Sequence, residues 1–394
     1  MSNREVVVVS GTRTAIGDYG GALKDLAATR LGAVAIKEAV ARAKVDPASV
    51  GHVVMGSVIH GEARDMYLAR VAALEAGLPV GTPCLTVNRL CGSGLQAIVS
   101  AAQQLLLGDC DVAVAGGAES MSRAAYFLPS GRWGQRMGDA AVVDAMTGAL
   151  HDPFGHGHMG VTAENIAAKY GFTREQQDQF SIESHRKAAN AIEKGYFKDQ
   201  VVPTEIRSKK GVEHLTIDEH VRKDASMADL AKLKTVFKQD GTVTAGNASG
   251  INDAGAAVVL AEAGTAKTMN LKILARLVAY AHAGVEPQLM GLGPIPAVKR
   301  AFEKAGLKPS DMDVIESNEA FAVQAMAVTK DLGLDPARVN PNGGAVALGH
   351  PIGATGAILT VKALYELERT KKRYALVTMC IGGGQGIAAI FERI

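Results

Sequence analysis

Only four cysteines occur in this chain of 394 residues, and no two of them stand in Cys-x-x-Cys spacing. That excludes a zinc ribbon and a disulfide scaffold. An excess of one charge is also missing, because 42 Lys and Arg face 40 Asp and Glu and leave a net +2. Such a balance provides no general attraction to nucleic acid or to an acidic membrane surface. The chain reads as lacking any apolar run of the roughly 18 residues a membrane helix needs. No Gly-x-x-x-x-Gly-Lys loop offers a phosphate cradle. The opening Met1-Ser-Asn-Arg-Glu5 passes straight into Val6-Val-Val-Val9, which leaves no room for a signal peptide. The closing Phe391-Glu-Arg-Ile394 is not a peroxisomal tripeptide, so a cytoplasmic location is expected. Hydrophobic residues at 47% and charged residues at 21% describe an ordinary globular chain, long enough for two or three domains.

Glycine, by contrast, is abundant, with 44 residues, and three glycine-rich turns each carry one reactive side chain. Cys91 lies in Asn88-Arg-Leu-Cys-Gly-Ser-Gly94, His350 in Gly349-His-Pro-Ile-Gly-Ala-Thr-Gly356, and Cys380 opens Cys380-Ile-Gly-Gly-Gly-Gln-Gly386. Glycine is placed where backbone turns tightly or approaches a ligand closely. A thiol nucleophile, an imidazole base and a second thiol able to carry a proton are the parts of acyl transfer through a thioester. Cys91 is expected at a helix N-terminus, which would lower its pKa from about 8.5. Cys84 and Cys110 have no glycine bed and read as packing residues. Gly92-Ser-Gly94-Leu-Gln-Ala97 fits a dinucleotide fingerprint, but Val87-Asn-Arg-Leu-Cys91 is a poor buried strand to precede it. His156 and His158 have no carboxylate or thiol cluster beside them, so no metal site is expected.

The chain repeats itself at a constant offset of 262 residues. Ile36–Pro47 lies over Val298–Pro309, His52-Val-Val-Met55 over Val314-Ile-Glu-Ser317, Asn88–Gly94 over His350–Gly356, and Val112-Ala-Val-Ala115 over Tyr374-Ala-Leu-Val377. Four blocks in one register point to duplication. Gly255-Ala-Ala-Val-Val-Leu260 matches Gly386-Ile-Ala-Ala-Ile-Phe391 at an offset of only 131, so the first half carries an insertion of about that length. The expected division is 1–120 plus 250–271 for the first half, 121–249 for the insertion and 272–394 for the second half. Strands alternating with helical patterns make each half a layered α/β sheet. Within the insertion, Thr173 and Gln176 form a capping box and Gly195 a stop. Arg207-Ser-Lys-Lys-Gly211 and Asp218-Glu-His-Val-Arg222 read as exposed surface.

These motifs, together with Gly246-Asn-Ala-Ser-Gly-Ile-Asn-Asp253 and Asn318-Glu-Ala-Phe321, resemble the thiolases in order and spacing from end to end. The resemblance is strongest to the bacterial short-chain acetyl-CoA acetyltransferase and β-ketothiolase branch. It implies a duplicated thiolase fold, a five-layer α-β-α-β-α sandwich with an inserted loop domain. By the same resemblance Cys91 is the acylated nucleophile, His350 its base, and Cys380 the group that moves the α-proton of the second acetyl-CoA. Asn318 would hold a water that shares one oxyanion hole with His350, and the N–H groups of Cys91 and Gly382 would form the other. Coenzyme A, a substrate and product with no further cofactor, would lie along Ser249, His158, Arg222, Phe237, Ala245, Met290, Ala320 and Phe321. Gly155 and Gly157 are expected to leave the acyl pocket roomy enough for a five-carbon 3-ketoacyl group, unless Leu150, Met290 and Phe321 close it on the short chain. A decarboxylating ketosynthase would place histidine or asparagine where Cys380 stands, and a non-catalytic acyl-CoA-binding relative would lack Cys91 or His350. The apolar Ser122–Trp133 stretch suggests a partner surface, and the resemblance implies a homotetramer built as a dimer of dimers.

Overall fold

The computed structural model describes residues 4–208 and 211–394. Nine strands form its frame: β1 (Val6–Thr14), β2 (His52–Gly56), β3 (Cys84–Val87), β4 (Val112–Ser120), β5 (Asn252–Glu262), β6 (Ala275–Gly284), β7 (Val314–Ser317), β8 (Tyr374–Ile381) and β9 (Gln385–Glu392). They hydrogen-bond in the order β7-β8-β9-β6-β1-β5-β4-β2-β3. The principal helices are α1 (Ala28–Ala43), α2 (Leu68–Glu75), α3 (Ser93–Leu107), α4 (Met159–Tyr170), α5 (Arg174–Glu193), α6 (Pro294–Ala305), α7 (Ala322–Asp331) and α8 (Ile352–Thr370).

The duplication is visible in the pairing. β1-β5-β4-β2 in the first half reappears as β6-β9-β8-β7 in the second. The halves join where Val7 and Val8 of β1 pair antiparallel with Arg276 and Ala275 of β6. Strand periodicity then sorts the side chains, since successive residues face opposite sides of a sheet. In β4, Ala113 and Ala115 face a central core with α3 and α8, while Val112, Val114 and Ala118 face α1 and α2. In β8 and β9, Val377, Met379, Ile387 and Ala389 face the same central core, and Leu376, Ala388 and Ile390 face α6 and the end of α7. Helix, sheet, helix, sheet, helix is therefore the layer order. One strand breaks the symmetry. The residues 262 after β3, 346–349, overlap the helical turn Ala345–Leu348, so the second half has no counterpart of that edge strand.

Residues 121–249 contribute Val201–Val202, which pairs parallel with the end of β1, and otherwise build their own helices and short strand pairs. Here α5 begins where the capping box predicts, with Thr173 and Gln176 bonded reciprocally, and it stops before Gly195 at φ +70°. Arg207 and Gly211 are exposed, while Lys209 and Lys210, like Met1–Asn3, lie outside the described residues.

Two expectations fail. The stretch Leu90–Leu107 is long and apolar enough by composition to cross a membrane. Its apolarity has another cause, because α3 is packed between the two halves of the sheet and is apolar on most of its circumference. Asp218-Glu-His220 is likewise not a free solvated face. Asp218 is 4% exposed and makes a two-pronged ion pair, at 2.7 and 2.9 Å, with Arg13, a fully buried cation in β1. Glu219 accepts the N–H groups of Asp18 and Ala22, and His220 Nδ1 meets the Asp18 carboxylate. The partners lie some 200 residues away in sequence, so nothing local distinguishes this clasp from exposed loop.

Candidate active site

The turn that carries Cys91 is held by its own side chains. Asn88 Oδ1 accepts the N–H of Leu90 at 2.9 Å, and Ser93 Oγ accepts that of Arg89 at 2.8 Å while donating to the Leu90 carbonyl at 2.7 Å. Leu90 sits at φ +46°, a left-handed conformation that costs a non-glycine residue roughly 1–2 kcal/mol. The matching turn of the second half uses Gly349 at φ +103°, where a Cβ would strike the Asn252 side chain at 2.3 Å. Asn252 Oδ1 in turn accepts the backbone N–H of His350 at 3.0 Å.

Two glycines at equivalent positions bring the turns together. A Cβ on Gly94 of α3 would lie 2.7 Å from the Ala357 nitrogen, and one on Gly356 of α8 would lie 2.2 Å from the Leu95 nitrogen. Only glycine permits helix backbones to cross so closely. The crossing puts Cys91 and His350 in the wall of one cavity of about 520 Å³. Gly382 lines it as well, and its N–H, together with that of Cys91, faces the Cys91 sulfur.

Burial controls the titration of this site. Desolvation raises the Cys91 thiol to about 11, against the N–H groups that favour the thiolate. The expected lowering does not prevail, because desolvation of the partly buried thiol outweighs the two N–H groups. Desolvation also lowers His350 to about 4. The resting pair is a neutral thiol and a neutral imidazole. His350 Nδ1 bonds Thr355 Oγ1 at 2.7 Å, and the Asn318 amide nitrogen faces Nε2 at 3.4 Å. Asn318 is fully buried, and its Oδ1 has no protein partner. Cys380 is fully buried in one cluster with the lining residues Met159, Met290 and Phe321, its thiol raised by desolvation and then by proximity to Cys91. Asn318 and Cys380 are in contact with lining residues without being part of the lining themselves.

All nine residues expected to meet acyl-CoA line the same cavity: Leu150, His158, Arg222, Phe237, Ala245, Ser249, Met290, Ala320 and Phe321. His158 accepts the N–H of Gly160 at the start of α4 and stacks on Phe237 with ring centroids 4.6 Å apart. Gly160 has no side chain because a Cβ there would enter the Phe237 ring. Ser249 is held by its N–H on the Ala320 carbonyl at 3.0 Å. Arg222 is exposed at the mouth. Gly155 and Gly157 do not widen the pocket, since neither lines it. Their φ values of +91° and +80° show that they serve the backbone turn around Asp152. Among the described residues no cluster of metal-ligating side chains forms, and His156 and His158 are no exception.

Some residues of the site carried no motif. Asp18 and His220 line the cavity as a pair. Glu119 is fully buried, accepts the N–H groups of Val58, Ile59 and Gly353, and is raised by desolvation to about 8. Its only sequence trace is a lone acid ending the apolar strand β4. Asn252 and Thr355 lie inside glycine-rich motifs that give no sign of their roles.

Models of known families match almost all of the chain: a thiolase N-terminal domain over residues 6–264 and a thiolase C-terminal domain over residues 271–393. The beta-ketothiolase BktB of Cupriavidus necator is 66% identical over 392 residues, covering 99% of this chain and all of that protein. An acetyl-CoA acetyltransferase of Allochromatium vinosum is 48% identical, with both chains covered in full. The crystal structure of human mitochondrial 3-ketoacyl-CoA thiolase in complex with CoA superposes with a TM-score of 0.96 at 44% identity, covering 99% of this chain and 98% of that one. With both family models matched in chain order and relatives aligned over nearly their whole length, the chain belongs to the thiolase family.

Proposed function

We propose that this thiolase forms an acyl thioester on Cys91 and uses it in both directions, condensing two acetyl-CoA to acetoacetyl-CoA and cleaving short 3-ketoacyl-CoA with CoA. The observation that carries this reading is the helix crossing, which sets a thiol, an imidazole and two backbone N–H donors around one apolar cavity. As the Cys91 sulfur attacks the thioester carbonyl, its proton passes to His350 Nε2. The N–H groups of Cys91 and Gly382 stabilise the oxyanion, a contribution of about 3–4 kcal/mol for a donor of this kind. The carbon–sulfur bond to CoA then breaks, and His350 returns the proton to the departing thiolate. Cys380, as its thiolate, removes the α-proton of a second acetyl-CoA, its enolate oxygen held beside His350 and Asn318. The α-carbon attacks the acyl carbon, the carbon–sulfur bond to Cys91 breaks, and the Cys91 sulfur takes up a proton equivalent to the one Cys380 gave up to become a thiolate.

The CoA moiety runs past Ser249, Phe237 and His158 toward Arg222, and the acyl pocket closes on Leu150, Met290 and Phe321. Residues 121–249 act as the loop domain that shapes this channel. A homotetramer fits the exposed apolar side chains of Tyr126, Phe127 and Trp133, the last 90% exposed.

Incubation with labelled acetyl-CoA and peptide mapping tests the assignment. Label is expected on Cys91, and Cys380→Ser is expected to keep that label while losing solvent exchange of the acetyl α-hydrogens. Label on Cys380, or normal condensation by Cys380→Ser, overturns it.

A further inference from the structure

Ser93 and Thr355 occupy equivalent positions in the duplicated halves, 262 residues apart, each a hydroxyl in the first turn of its helix. Ser93 Oγ donates to a backbone carbonyl, that of Leu90, and accepts the N–H of Arg89. Thr355 Oγ1 also donates to a backbone carbonyl, that of Pro351, at 2.9 Å. The residue equivalent to Arg89 is Pro351, which has no N–H to give. The acceptor side of Thr355 is thus released from the backbone, and His350 Nδ1 lies on it at 2.7 Å.

A hydroxyl has one proton. With that proton on the Pro351 carbonyl, the hydrogen between Thr355 and His350 belongs to Nδ1. The other ring nitrogen leads to the same answer, because the amide nitrogen of Asn318 is a donor and faces Nε2 at 3.4 Å. Thr355 is 2% exposed, so water does not compete for its lone pairs. We propose that Thr355 is a positioning residue that fixes the tautomer of His350, so that Nε2 keeps its lone pair and takes the proton of Cys91. This rests on the reading of His350 as the base for Cys91.

The step balances with Thr355 unchanged. The Cys91 S–H bond breaks as the sulfur–carbon bond forms, Nε2 gains the proton, and Nδ1 keeps its own on Thr355. When the bond to CoA breaks, the proton leaves Nε2 for the CoA sulfur. The orienting group is neutral, unlike the carboxylate of a serine-protease triad. It directs the imidazole without holding it as a cation, in keeping with a base that stays neutral at rest.

Thr355→Val keeps the shape and removes the hydroxyl, while Thr355→Ser keeps the hydroxyl. Acylation of Cys91 by acetyl-CoA, followed by rapid quench, is expected to slow in Thr355→Val on the order of 10²-fold, the lower end of what positioned acid–base groups contribute. KM for acetyl-CoA is expected to stay within about twofold, and Thr355→Ser to recover most of the rate. A near-normal rate in Thr355→Val, or no recovery in Thr355→Ser, overturns the proposal. His350→Gln separates the two readings: if it still acylates Cys91 normally, the base assignment fails and this proposal with it. If His350→Gln is inactive and Thr355→Val is normal, only the role of Thr355 falls. Nitrogen-15 NMR of histidine-labelled wild type, with His350 identified by its loss in His350→Gln, decides should Thr355→Val not fold. Hydrogen on Nδ1 supports the assignment, and hydrogen on Nε2 refutes it.

Discussion

Cys91 of the first half and Gly353 of the second stand at the same place in the repeat, and so do Asn88 and His350. In the first half the position carries the thiol. In the second it is bare backbone, and its N–H goes to Glu119 at 2.8 Å. Asn88 folds back on its own turn, whereas His350 points into the cavity. Duplication has kept the close helix crossing and left the side chains free to take different chemical jobs. The supports also cross over. Asn252 and Glu119, both from the first half, hold the turn of His350, and Gly382 from the second half faces Cys91. Neither half contains an ordered site by itself.

The halves also differ in how they bury an ion pair. Lys362 and Glu316, 2.7 Å apart and almost wholly buried, close within the second half. Arg13 of the first half instead reaches into the insertion for Asp218. Removing one partner of a buried pair leaves an uncompensated charge, so Asp218→Ala is expected to cost about 3–5 kcal/mol in chemical denaturation. Because Arg222 follows this clasp at the mouth, KM for CoA should rise more than kcat falls. An unchanged KM would show that the clasp is structural only.

The helix crossing can be broken at its tightest point. Gly356→Ala places a methyl 2.2 Å from the Leu95 backbone nitrogen, and overpacking of this kind costs typically about 1–3 kcal/mol. Condensation should fall with stability, since the shift moves His350 relative to Cys91. Gly81→Ala, with nothing within 4 Å of the new Cβ, is the control and should change stability by less than about 0.5 kcal/mol. Equal losses in both variants would remove the crossing from the account of the site.

The smallest effect separates the two halves by pH. His350 is lowered from 6.5 to about 4, so the unfolded chain binds the extra proton between those values and stability is lost as pH falls through that window. Glu119 is raised from 4.5 to about 8, so the folded chain binds the extra proton and stability is lost as pH rises through that window. Thermal unfolding of Glu119→Gln should therefore decline less than wild type between pH 6.5 and 8, and His350→Gln should decline less toward pH 4. Identical slopes in wild type and variants would place these titrations elsewhere.

Much of the site is legible because its information is local. The glycine beds around Cys91, His350 and Cys380 need no partner to be recognised, and a repeat register survives in one dimension. The capping box at Thr173 is equally local. Other features became visible only in three dimensions. A polar run such as Asp218-Glu-His220 looks the same whether it meets water or a buried arginine far away in sequence. A lone acid at the end of β4 does not announce which backbone N–H groups it will collect. Gly155 and Gly157 offer space on paper, but their φ values assign them to a turn. The sign of the Cys91 shift was also beyond the sequence, because helix dipole and desolvation act in opposite directions and only packing sets how dry the thiol becomes. The sequence by itself determined the reactive groups, the duplication and the backbone freedom around each turn. Tertiary structure decided which groups share a cavity, which carboxylates are buried and which proton His350 keeps, since these depend on atoms that packing alone brings within a few ångströms.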